Sequence, residues 1–175
     1  MKPGFAASAS VLTAFLIAAG SVGTVRADHV LVADGQSETS TDQSYSTSTS
    51  QPAIQAIHGG AILSTGDSVA ILPPGGMTGV EAEGPGSEIT ANTPTIHDVE
   101  PAQTDISAVS AVGGGVVNLN AGTITIAGSN SVGLLGDNGT IRVGGPLAIS
   151  MTGVNSYGVE ASGSGVVQLN PGTNI

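Results

Sequence analysis

Side chains able to hold a metal gather in one short stretch, where His97, Asp98, Glu100 and Asp105 follow one another. A lone imidazole among carboxylates lacks the ligand spacing of recurrent metal sites, and the stretch reads as a solvated acidic loop. Glu81 and Glu160 occupy equivalent positions of the repeat, but three repeats, roughly 14 Å at the spacing of stacked strands, put them too far apart to work as a carboxylate pair on a glycosidic bond. A cation for stabilising a sugar acid is sought in Arg142, the last of three Lys or Arg residues, whose neighbours Ile141 and Val143 bring no acid. The glycine runs Gly113–Gly115 and Gly144–Gly145 lack the Lys-Ser/Thr that completes a phosphate loop, and Gly136-Asp-Asn-Gly139 is a turn by composition. No Gly-Gly-x-Gly-x-Asp repeat is present, which disfavours a calcium-binding β-roll. No catalytic, cofactor-binding or metal-binding residue is assigned, and no cofactor is expected.

The elements that would position such groups are repeated. Residues 108–123 (AVSAVGGGVVNLNAGT) return at 158–173 (GVEASGSGVVQLNPGT), and a looser copy spans Val132 to Val143. The period is therefore about 25 residues, the mark of stacked units. Within a unit, Val117 and Leu119 point one way and Asn118 and Asn120 the other; Ile124 and Ile126 repeat the alternation after a turn at Asn120-Ala121-Gly122. Three short strands per period describe one coil of a right-handed parallel β-helix, with Asn and Gly at corners that need left-handed backbone. The β-branched, Gly-punctuated runs offer no helical stripe. Columns are predicted to form along the axis, one through Val109, Leu134 and Val159, another through Val117, Ile141 and Val167.

Composition agrees with a narrow core. The chain of 175 residues has 27 Gly, 9 Pro, no Cys, no Trp and 2% aromatic residues, too few large side chains to fill a broad globular interior. Only 3 Lys or Arg oppose 13 acids, and two of the three, Lys2 and Arg26, lie near the start. A surface of that sign repels nucleic acid and anionic lipid. The lack of cysteine fits export through an oxidising compartment.

In chain order, residues 1–27 read as a secretory signal peptide: Lys2, an apolar centre from Val11 to Ala19, and Val25-Arg26-Ala27 as a small-x-small cleavage site before Asp28. An uncleaved anchor is the rival, since Phe5 to Val25 is uncharged and about long enough to cross a bilayer; its Gly, Ser and Thr content favours cleavage. Residues 28–52 are expected to form a Ser/Thr-rich, mostly disordered leader, with Val30 to Ala33 as a cap on the first coil. Residues 53–175 are expected to form about five coils, incomplete at the end, some 20 to 25 Å in length. Coil starts at Ala53, Gly79, Ala108, Gly133 and Gly158 leave a surplus between Asn92 and Asp105, read as an excursion loop.

A signal peptide followed by coils of the form Gly-Val-x-Ala, Gly-x-Gly-Val-Val-x-Leu-Asn-x-Gly-Thr resembles the passenger of a pertactin-like autotransporter, of the type V secretion family of Gram-negative bacteria. The resemblance covers Ala53 to Ile175 and is sharpest over Ala108 to Ile126 and Gly158 to Ile175. It implies export by the secretion machinery and passage through a C-terminal outer-membrane β-barrel. It also implies display at the cell surface, or extracellular release, for adhesion or virulence toward a host or surface ligand. No barrel strands occur before Ile175, so the sequence reads as the N-terminal fragment of such a protein, unable to anchor itself and left in the periplasm if the barrel is truly missing. No catalysis and no nucleic-acid partner are expected. The alternatives are a polysaccharide-active β-helix enzyme of the pectate-lyase type and a non-functional truncated fragment.

Overall fold

The computed structural model describes residues 29–73, 77–98, 100 and 102–175. The signal-peptide reading of residues 1–27 lies outside them. Every element among the described residues is a β-strand, and every strand pairing is parallel. Three sheets run the length of a parallel β-helix. The first stacks β1 (Leu31–Asp34), β4 (Ile54–Ile57), β7 (Thr78–Glu83), β10 (Ser107–Val112), β13 (Val132–Asp137) and β16 (Tyr157–Ser162). The second stacks β2 (Ser37–Thr41), β5 (Ala61–Thr65), β8 (Glu88–Asn92), β11 (Val116–Leu119), β14 (Thr140–Val143) and β17 (Val166–Gln168). The third stacks β3 (Ser44–Thr47), β6 (Ser68–Ile71), β9 (Thr95–Asp98), β12 (Gly122–Ile126) and β15 (Leu147–Met151). Five full coils are followed by the first two strands of a sixth.

The predicted columns are present. Leu31, Ile54, Val80, Val109, Leu134 and Val159 are successive partners in the first sheet. Ile62, Ile89, Val117, Ile141 and Val167 are successive partners in the second, and Tyr45, Val69, Ile96, Ile124 and Ile149 in the third. These side chains fill the interior, where Val69, Ile89, Val117 and Ile141 are fully buried. Each such burial removes apolar surface from water and contributes on the order of 1.5–3 kcal/mol before the entropy of ordering is subtracted.

Sharp corners need left-handed backbone, and it too is stacked. In register, Gly35, His58, Gly84, Gly113, Asn138 and Gly163 all have positive φ, as do Asp42, Gly66 and Thr93 at the second corner and Asp105, Asn130 and Asn155 at the third. Each level thus turns where its neighbour turns, and the ladder of backbone hydrogen bonds is kept through the bend, as from Gly113 N–H to the Asp137 carbonyl at 3.0 Å. Close approach is the other demand: a Cβ on Gly115 would lie 2.1 Å from the Ala82 carbonyl oxygen.

Two expectations about boundaries are corrected. The Ser/Thr-rich segment 28–52 is not a disordered leader, because its residues 31–47 form β1, β2 and β3, a complete coil preceding Ala53. Its polar residues do not have to offset their ordering alone. Ala33, Tyr45 and Thr47 point inward and are buried, Ser40 and the Tyr45 hydroxyl share a 2.7 Å hydrogen bond, and β4, β5 and β6 supply the ladder. The surplus in the third coil is also narrower than Asn92 to Asp105. Thr95 to Asp98 is the regular strand β9 with Ile96 buried, so the excursion begins only after Asp98. Pro94 and the nearby acids mimic a loop signal, yet Pro94 sits at the corner before the strand, where its missing N–H costs nothing.

Candidate functional site

The interior is closed, so any site lies on the outer faces of the three sheets, and these differ in charge. The first sheet carries outward acids in two adjacent columns: Asp34, Glu83 and Asp137 in one, Glu81 and Glu160 in the other. The second presents Leu63, Glu88, Asn118 and Arg142, with Leu63 exposed. The third presents Ser68, Thr95, Thr123 and Ala148 beside Ala70, His97, Thr125 and Ser150, with no carboxylate, Lys or Arg on those strand positions. Asp98 follows on β9, but its carboxylate accepts the Ala127 and Gly128 N–H groups at 2.9 and 2.7 Å and serves as a clamp on the next coil.

Each residue weighed from the sequence has a definite place on these faces. Glu81 and Glu160 share a column, linked through Ser110 and Leu135, so three strand spacings, roughly 14 Å, separate them. Glycosidase carboxyls stand about 5 to 9.5 Å apart, which excludes this pair. Arg142 has Asn118 and Gln168 as its register partners, with no acid at either. His97 and Asp98 are consecutive on β9 and so point to opposite sides of the sheet. Among the described residues no three His, Cys, Asp or Glu side chains come together in a metal-holding group.

The sequence reading missed a closer pair. Glu81 and Glu83 lie two apart on β7 and share its outer side, roughly 7 Å from each other. Glu81 is half-buried, and the loss of water around it raises its carboxyl above the ordinary carboxylate range. The Gln55 amide, donating to Glu81 Oε1 at 3.2 Å, partly offsets this, and the charge of Glu83 adds to it. Ser110, beside Glu81 on the next coil, is 2% exposed, so its longer neighbours shelter this part of the face. The signal was legible as alternation: Glu-Ala-Glu with Ala82 inward places both acids outside. Two carboxylates on one flat strand approach a ligand from the same side, whereas hydrolysis of a glycosidic bond needs them on opposite sides of it.

No protein-family model matches the chain, and no curated protein and no solved structure matches it either. The fold is therefore established by the coordinates alone: an all-β, parallel β-helix.

Proposed function

We propose that this chain is the β-helical passenger segment of an autotransporter, exported by an N-terminal signal peptide, and that it serves as a surface for binding or display without turnover of its own. The observation that carries this reading is the repeat itself. A 25-residue unit written mainly in Val, Ile, Gly and Asn is spent on inward columns and corners, which leaves three long outer faces free to vary. Variable flat faces on a rigid rod suit adhesive contact with a host or surface ligand. Among the described residues no Lys or Arg stands in register with the acidic columns of the first sheet, where only the His58 imidazole lies beside Asp34; this supports a passive role, because sugar-acid chemistry calls for both signs of charge in one place.

Two measurements test it. Purified protein incubated with polygalacturonate and Ca²⁺ is expected to release no unsaturated product absorbing in the ultraviolet. Release that disappears in Glu81→Gln would replace the passenger reading with the enzyme reading. Reading the genomic frame past Ile175 is expected to reveal alternating, amphipathic barrel strands with a terminal aromatic residue. A frame without them would remove the autotransporter reading.

A further inference from the structure

The corner between β13 and β14 is shorter than its neighbours. Gly113, Gly114 and Gly115 lie between Val112 and Val116, and Gly163, Ser164 and Gly165 between Ser162 and Val166, but only Asn138 and Gly139 lie between Asp137 and Thr140. The longer corners close on a backbone hydrogen bond: Gly115 N–H donates to the Val112 carbonyl at 3.0 Å, and Gly165 N–H to the Ser162 carbonyl at 2.9 Å. Gly139 precedes its strand at the same register, and among the described residues its N–H has no hydrogen-bond partner. Asn138 before it is exposed and left-handed, with φ 53°. Its side-chain amide is fixed on both atoms: Oδ1 accepts the Ser164 N–H at 3.0 Å and the Ser164 hydroxyl at 3.2 Å, and Nδ2 donates to Asp137 Oδ1 at 2.9 Å. No other asparagine of the chain precedes a glycine.

We propose that Asn138 is a site of spontaneous deamidation in the folded chain, with the Gly139 nitrogen as nucleophile. Hydroxide takes the Gly139 N–H proton, the nitrogen bonds to Asn138 Cγ, and the Cγ–Nδ2 bond breaks. Nδ2 takes a proton from water and leaves as ammonia, and a cyclic imide remains. Water opens the ring at either carbonyl, giving aspartate or an isoaspartate whose main chain runs through Cγ. The net change consumes a water and releases an ammonia. The corner favours each part of this step. The attacking N–H is not engaged elsewhere, glycine has no side chain to crowd ring closure, and the Ser164 donors face the oxygen on which charge develops. Asn130 supplies the contrast: its backbone is equally left-handed at φ 52°, but the Ser131 N–H after it donates to Ser156 Oγ at 3.1 Å. Conversion of Asn138 strips a donor from Asp137 and sets a second carboxylate beside it. The isoaspartyl form also lengthens the main chain at a carbonyl that accepts the Gly114 N–H at 2.7 Å. Both changes loosen the sixth coil, which is tied to the fifth here through Ser164.

The test keeps the full 175-residue chain in warm, mildly alkaline buffer, with and without denaturing urea, and follows amide loss at each asparagine by peptide mass spectrometry. Labelling with an isoaspartyl methyltransferase reports the isomer. The unfolded chain registers the intrinsic preference of each sequence. The ratio of the Asn138 rate to the Asn130 rate is expected to be at least about tenfold larger in the folded chain, where a hydrogen bond must break before Ser131 can attack. A ratio no larger when folded would overturn the proposal, since the corner would then shield the bond or leave it indifferent. Asn138→Asp, the simple hydrolysis product, is expected to speed hydrogen exchange of the β16 and β17 amides while circular dichroism keeps its β signal. Unchanged exchange in that variant would overturn the loosening of the sixth coil and leave the modification to be decided by the wild-type ratio.

Discussion

The two ends of the stack are built from the same columns and finished in opposite ways. At the N-terminal end the second-sheet column ends on Glu38, half-buried beneath Ile62, and the third ends on Tyr45 with its hydroxyl tied to Ser40. His29 covers the edge of β3. At the other end the second-sheet column arrives at Val167 and the first-sheet column at Val159, both only partly buried, and Ile175 is 62% exposed. Only a single bridge, Ala148 to Asn174, begins the next level on the third sheet. A column of identical shape thus depends for its stability on what lies above and below each member. The first coil works because its polar residues sit where the ladder has a partner on one side only.

That contrast can be broken most strongly in the middle. Ile124→Ala, with neighbours Ile96 and Ile149 in register, should cost roughly 3–4 kcal/mol by leaving a cavity that rigid strands cannot close. Val167→Ala at the open end should cost less than about 1 kcal/mol. Urea midpoints compare the two, and equal losses would refute the dependence on position. Hydrogen exchange sharpens the same point without mutation: amides of β10 to β12 should exchange slowest, those of β16 and β17 fastest, and those of β1 to β3 in between.

Smaller effects probe the polar finish itself. Tyr45→Phe should cost about 1 kcal/mol, because the Ser40 hydroxyl loses its partner in a buried place. Burial, ahead of the opposing Ser40 hydrogen bond, raises the Tyr45 phenol above its ordinary value. The folded state therefore favours the neutral form. That contribution is whole below the ordinary phenol range and is lost as pH climbs through it, so wild type should melt earlier in strong alkali while Tyr45→Phe does not show this component. Last and smallest, Glu81→Gln should stabilise the chain at neutral pH by less than about 0.5 kcal/mol, after allowance for solvent screening. The raised Glu81 carboxyl favours folding in acid and opposes it above the carboxylate range, so the advantage of the Glu81→Gln variant should vanish as pH falls. A larger advantage in acid than at neutrality would reverse the sign and refute the assignment.

Much of this fold was legible because the repeat fixes register: once Val109, Leu134 and Val159 are aligned, a slip by one residue would turn Ser110 and Glu160 inward. The corners were legible for a related reason, since Asn130 and Asn155 repeat at the same step as the strands. What escaped the sequence was the worth of polar residues in a ladder. Ser and Thr between Ser37 and Ser50 look unable to order themselves, and alone they would be. Their order comes from β5 and β6, far along the chain, through backbone groups that carry no signature of side-chain type. The Glu81–Glu83 pair escaped because attention to equivalent positions in successive coils hides neighbours within one strand.

The stacking of every corner over the one before it bears on how such a rod responds to tension. A force pulling the two termini apart along the axis meets the hydrogen-bond ladders at one level at a time, so they open like a zipper. The Asp98 clamp on Ala127 and Gly128 adds a local catch near the middle. Each coil released from the 25-residue part of the stack would lengthen the chain by roughly 85 Å of contour. Pulling should therefore give a train of evenly spaced force peaks in place of one large rupture, and the rod should yield coil by coil while the part still stacked keeps its outer faces intact.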